Sequence, residues 1–216
     1  MTIQETYFIF EPLFINDLTM RIKEGNKETD ILKAAIEVFA KDGFYKAKIS
    51  KIAEKAGVAA GSVYVYYKNK DDLLFRIFEE LWEKLYVNMQ NLGKESTLSP
   101  SDKIDKMIDL VFDLFIENPS LAIVFVNEQQ NHSISGNENF LFSYERFLDE
   151  GEKVIKEGIN KGVFSNTYDL KIFRNYIFGA IRNLLFNWAN DQKSFRLEKI
   201  RRDVKYLTKH GIIKTK

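Results

Sequence analysis

The chain has 216 residues, 45% of them hydrophobic, with 32 Lys and Arg against 31 Asp and Glu, a length that admits one large domain or two small ones. It has no cysteine, which excludes a disulfide framework, a thiolate metal site and a cysteine nucleophile, and its two isolated histidines, His132 and His210, argue against a histidine-ligated metal or a Ser/His/Asp hydrolase. The eighteen Phe and ten Tyr exceed what a small core needs, so the composition points to an aromatic-rich, non-enzymatic globular protein without metal or cofactor.

Residues 1–24 read as an amino-terminal extension. Its first 19 residues are apolar and aromatic but carry Glu5, Glu11 and Asp17, and they lack the basic start and small-residue cleavage site of a signal peptide. Two accounts stay open: an upstream extension ahead of a start at Met20, or an arm that packs on the body. No run reaches the roughly 18 apolar residues of a membrane span. The sequon Asn131-His132-Ser133 is read as chance, and the expected location is the cytoplasm.

Three prolines and a recurrent 3.6-residue apolar period predict an all-α protein of nine helices. The first is expected from Asn26 or Thr29, as cap, to Gly43, with Ile31, Ala35, Val38 and Phe39 as its stripe. Short helices are expected at 49–56 and 60–66, separated by Gly57. Asp71 and Asp72 open a long one to about Asn88. Gly93 to Ser101 reads as a linker. Helices follow at 101–116 and at 119–130, the latter announced by Asn118 and Pro119, then a loop at 131–138. The last three are expected at 139–161, 169–190 and 195–210. Residues 25–72 form one expected domain and 73–216 a second.

The informative stretch is ISKIAEKAGVAAGSVYVYYKNKDDLL, residues 49–74. Ile52 and Ala53 lie on one helix, Ala53 is small enough for a second helix to cross above it, Gly57 allows the tight turn, and Val58 and Val63 supply the contacts that set the crossing. This is the packing logic of a helix-turn-helix, whose second helix enters the major groove. Residues 59–62 (AAGS) would open that helix, bare enough to approach base edges. Tyr64 and Tyr66 offer hydroxyls, and Lys70 lies at the mouth of the next helix, where phosphates are held. Between Lys46 and Lys70 stand six lysines and one acid, Glu54, a basic patch inside a neutral chain.

In the remaining helices, Met107, Val111, Phe112, Phe115, Phe125, Phe142 and Phe147 belong to very apolar faces. Either they form a tightly packed core, or they line a cavity whose rings move aside for an alkyl or aromatic ligand. Phe173, Ile177, Ile181, Leu184 and Trp188 form one stripe and Val204 belongs to the next. Periodicity leaves open whether these stripes face the chain's own core or a second copy.

The run IAEKAGVAAGSVYVYYKNKDDLL, preceded by ILKAAIEVFAKDGF, resembles the DNA-binding signature of the tetracycline-repressor (TetR) family. The resemblance implies a homodimer that binds double-stranded DNA at a palindromic operator as a repressor. Lys48, Ser62, Tyr64, Tyr66 and Lys70 would fall on phosphate-contacting positions, and Ser50, Ala59, Ala60 and Gly61 would face bases. Ala47-Lys48 depart from the Thr or Ser that often precedes the family's second helix, which removes a hydroxyl cap. The resemblance also implies that the last two helices pair with their copies, through Phe173, Ile177, Ile181, Leu184, Trp188 and Val204. GVAAGSVYVYYKNKDDLLFRIFEE, EGINKGVF and YIFGAIRNLLFNWANDQKSF are similar to the fatty-acid-degradation (FadR-like) regulators within the family, which implies release by a long-chain acyl-CoA. A DNA-binding regulator without a ligand, an activator, and an acyl-chain enzyme are the competing readings.

Overall fold

The structure, a computed structural model, describes residues 27–128 and 138–213. The extension 1–24, the cap candidate Asn26 and the loop containing His132 lie outside them. Among the described residues there are nine helices and no strand: α1 (Lys27–Asp42), α2 (Ile49–Lys55), α3 (Ala60–Tyr66), α4 (Lys70–Lys94), α5 (Pro100–Glu117), α6 (Pro119–Glu128), α7 (Glu138–Asn160), α8 (Leu170–Asn190) and α9 (Leu197–Ile212). The all-α expectation and the order of its helices hold.

Helix α1 buries Ile31, Ala35, Val38 and Phe39 along the expected stripe. Thr29 lies within its first turn rather than at its cap. Across α2 and α3, Ile52, Ala53 and Val63 are fully buried, and Val58 packs against them. The turn between them is made by Gly57 at φ 67°, a left-handed conformation that costs an L side chain roughly 1–2 kcal/mol. The Val58 amide reaches back to the Ala53 carbonyl at 2.9 Å. Tyr67 closes this unit from below. Its buried hydroxyl donates to the Glu28 carbonyl at 3.3 Å, and burial, reinforced by Glu28, pushes its pKa far above the usual tyrosine range.

Helix α4 is capped by Asn69, whose Oδ1 accepts from the Asp72 amide at 2.8 Å, while Asp72 Oδ2 accepts from the Lys68 amide at 2.8 Å. This reciprocal pair satisfies two exposed donors at a helix start. The helix runs to Lys94 rather than Asn88, and α5 begins at Pro100 with Ser99 as cap, so the connection is shorter than the expected 93–101. Burial of Met89 and Leu92 carries α4 through Gly93, outweighing the roughly 1 kcal/mol that glycine costs in a helix. The buried Lys103 then ties three elements together, its Nζ donating to the Gly93 carbonyl and to Glu157 Oε2, both at 2.9 Å.

The body forms around α4, which packs along α7 and against α5, while α5 also packs on α7 and α9. Helix α1 rests on α6, joining the three-helix end to the body. Asn118 closes α5 and opens α6, its Oδ1 accepting from the Leu121 amide at 3.0 Å. After α7 the chain reverses, and the Phe164 ring lies directly on Gly158, where a Cβ would stand 2.1 Å from Phe164 Cδ2. Only glycine allows that approach. A bridge between Phe164 and Ile213, with the Ser165 amide donating to the Ile212 carbonyl at 2.8 Å, holds the end of α9 against this corner. None of the helices among the described residues is long and apolar enough to cross a membrane.

Candidate nucleic-acid interface and apolar cavity

The second helix of the α2–α3 pair stands clear of the body. Lys48, Ser50, Ala59, Ala60, Gly61, Tyr64 and Tyr66 are exposed, and Ser62 is half-buried. The buried Val63 on the opposite face of α3 orients them outward, since one helix face cannot serve both packing and solvent. Tyr45, 79% exposed, adds a further ring on the same end of the molecule, outside the residues singled out from sequence. Neither α2 nor α3 has a side-chain cap, because Lys48 and Ala59 occupy the cap positions. The missing hydroxyl at residue 48 is thus a missing hydrogen bond as well.

The six lysines divide into two groups. Lys51 pairs with Asp42 and Lys55 with Glu37, each at 2.5 Å. Lys70 is turned inward: its Nζ donates to the Phe44 and Tyr45 carbonyls at 2.8 and 3.0 Å and lies 4.9 Å from the Phe44 ring centroid. Its ammonium ties the start of α4 to the loop after α1, a positioning role that the sequence did not disclose. Two of its three N–H donors are used in this way, and the phosphate contact expected of Lys70 would fall to the third. Lys46, Lys48 and Lys68 have no ion-pair partner among the described residues and supply the free charge.

The body contains an apolar cavity of about 120 Å³. Its floor is Ile104, Met107, Ile108 and Val111 of α5, and its walls include Phe147 of α7 and Phe178 of α8. Met107, Val111 and Phe147 are therefore where the cavity reading requires. Phe112, Phe115 and Phe125 are not: all three are fully buried core, with Phe115 and Phe125 centroids 5.1 Å apart and Phe125 5.7 Å from Trp82. Residues one position apart on α5 point about 100° apart, so Val111 faces the cavity while Phe112 is turned into the core. Phe142 is 63% exposed, with the Arg146 guanidinium 5.3 Å from its ring. Phe178 and Ile104 line the cavity and were missed, since no single-helix pattern distinguishes a wall from the core beside it.

The cavity touches the aromatic core through two rings. Trp82 of α4 has its centroid 5.4 Å from Phe147 and 5.9 Å from Phe178. Burial pushes the neighbouring Tyr144 up to about 12, as expected where a ring cluster excludes water.

The stripe expected to meet a second copy is used within the chain. Phe173, Ile177 and Ile181 line the cavity, Leu184 packs against the core, and Trp188 and Val204 are buried. The opposite faces of α8 and α9 are the apolar ones left open: Ile172 72%, Tyr176 71%, Phe186 44%, Tyr206 60% and Leu207 67% exposed. Helix α8 is apolar on two faces, and α6, α7 and α9 cover only one of them.

The chain matches two family models in succession, one described as bacterial regulatory proteins of the tetR family over residues 31–77, the other as the carboxy-terminal region of YsiA-like proteins over 78–211. The fatty acid metabolism regulator protein of Bacillus subtilis (strain 168) is 32% identical to it over 168 residues, covering 77% of this chain and 86% of that one. Among solved structures, the fatty acid degradation regulator FadR of Bacillus halodurans superposes with a TM-score of 0.78 at 28% identity, over 88% of this chain and 97% of that one. FadR of Bacillus subtilis in complex with stearoyl-CoA gives 0.75 at 31% identity, over 84% and 97%.

Proposed function

The chain belongs to the TetR family of bacterial regulatory proteins and is a DNA-binding transcriptional regulator, and from that premise we propose that it is a cytoplasmic, non-enzymatic homodimeric repressor released from a palindromic operator by long-chain acyl-CoA. Residues 25–72 are its reading head and 73–216 its ligand-binding and dimerisation body. The observation that carries the ligand half of this reading is the apolar cavity whose Phe147 and Phe178 walls touch Trp82. Trp82 belongs to α4, and the first turn of α4 is anchored to the reading head through Lys70. At about 120 Å³ the cavity is smaller than the roughly 300–1,000 Å³ of ligand pockets, so a long chain enters only by displacing those rings. A ligand that needs them displaced binds the displaced arrangement better, and DNA binding falls by that differential affinity.

The test is a titration of the protein on an operator-bearing duplex with stearoyl-CoA. Complexes should dissociate, Trp82 emission should change at the same ligand concentration, and operator DNA should weaken acyl-CoA binding by the same factor. Calorimetry that detects no binding for any chain from C8 to C20 would sink the ligand assignment.

On the DNA side, Lys48, Ser50, Ala59, Ala60, Gly61, Ser62, Tyr64 and Tyr66 form the contact surface. Lys48→Ala should weaken binding similarly on all sequences and lower the slope of log affinity against log salt by about one unit. Substitutions at Ala60 should change which sequence is preferred. Lys70→Ala should instead lower thermal stability, because it leaves the Phe44 and Tyr45 carbonyls without their donor. Equal salt slopes for the unsubstituted protein and Lys48→Ala would remove Lys48 from the phosphate contacts.

A further inference from the structure

Thr208 of α9 lines the apolar cavity beside Ile104 and Ile108, is only 4% exposed, and its hydroxyl has no hydrogen-bond partner among the described residues. A threonine inside a helix ordinarily bonds back to the carbonyl four residues earlier, which here would be that of Val204. That bond is absent. Buried polar groups without a partner are rare, and each calls for an explanation. Of the other two polar side chains on the cavity wall, Arg174 pairs through its terminal nitrogens with Glu145, Asp149 and Glu152 while its Nε is buried without a partner, and Glu152 pairs also with Lys156, so Thr208 is the neutral unpaired group there.

The residues flanking Thr208 hold it in place. Lys209 pairs with Asp105 at 2.5 Å, Lys205 with Asp109 at 2.6 Å and Arg201 with Asp113 at 2.6 Å. Acids spaced by four on α5 meet bases spaced by four on α9, which fixes both the register and the rotation of α9 against the cavity floor. A hydroxyl held by such a ladder is preorganised, so little is lost when it forms a bond.

We infer that Thr208 reads the head of the bound chain, its hydroxyl donating to the carbonyl oxygen of an acyl thioester. This rests on the acyl-CoA reading above. A saturated acyl chain carries one polar group into an apolar cavity, the carbonyl at its head, and a carbonyl can only accept. Thr208 is then a specificity residue that separates acyl thioesters from alkyl chains of equal length, which the apolar walls cannot do.

The test uses the full chain and two probes, stearoyl-CoA and the octadecyl thioether of CoA, which lacks the carbonyl. Calorimetry on the unsubstituted protein should show the thioester binding about tenfold more tightly, as one hydrogen bond to an otherwise unpaired hydroxyl implies. Thr208→Val keeps the shape and removes the hydroxyl; it should bind both probes equally, with thermal stability undiminished, and Thr208→Ser should restore the preference. Equal binding of both probes by the unsubstituted protein overturns the role of Thr208 and leaves the acyl-CoA reading standing. A preference retained in Thr208→Val also overturns it. Binding of neither probe removes the acyl-CoA reading, and this inference with it.

Discussion

Tyr176→Glu and Leu207→Glu are each expected to turn the dimer into folded monomers and to lower operator affinity by roughly two orders of magnitude or more. In the protomer both side chains are largely exposed, so the substitutions cost the single chain little. In a twofold interface each charge appears twice, buried and unpaired, at about 3–5 kcal/mol per broken site. Monomers then bind half-sites singly, and the gain from linking two half-sites about 34–36 Å apart, or a multiple of that, is lost. Ile181→Glu provides the contrast. Its side chain is 5% exposed within the protomer, so a charge there should unfold the chain rather than divide the dimer. Light scattering and circular dichroism separate these outcomes. Folded dimers for both Tyr176→Glu and Leu207→Glu would place the interface away from the outer faces of α8 and α9.

The second large effect concerns chain length. Each methylene buried contributes about 0.8 kcal/mol, so acyl-CoA affinity should rise roughly fourfold per carbon until the cavity can open no further. Val111→Phe adds four carbons to the cavity floor, where Val111 is an established lining residue. Room for about as many methylenes disappears, and the longest chains should lose about 3 kcal/mol, roughly 200-fold in affinity. Short chains should be unaffected, and operator affinity without ligand should be unchanged, which shows that the fold survives. Phe112→Trp is the control: Phe112 is fully buried in the core, so overpacking should destabilise the protein by about 1–3 kcal/mol without selecting among chain lengths. An unaltered chain-length profile in Val111→Phe would place the acyl chain elsewhere.

Much of this protein was legible in its sequence because the relevant physics is local. Helix starts at Asn69 and Asn118, the turn at Gly57 and the buried stripe of α1 each follow from residues within a few positions of one another. The exposed set around α3 follows as well, since the small residues and glycine that build a helix-turn-helix leave only one face to solvent. Less legible was which distant neighbour a given side chain meets. Lys70 reads as a free cation, yet its reach of four methylenes brings it to carbonyls 25 and 26 residues away in the chain. Phe112 and Val111 share one apolar helix, but only the positions of α4, α7 and α8 send one to the core and the other to the cavity.

The sequence by itself determined the helical class, the order of the helices among the described residues and the helix-turn-helix, because backbone hydrogen bonding, capping and the 3.6-residue period act over a few residues. The tertiary structure alone decided the rest: that Phe173, Ile177 and Ile181 close a cavity while Ile172, Tyr176 and Leu207 are left for another surface, and that Thr208 sits unpaired inside it. The physical reason is that periodicity records the angle of a side chain around its own axis. It does not record what stands at that angle, and on a helix with two apolar faces only the packing of the other helices says which face is covered.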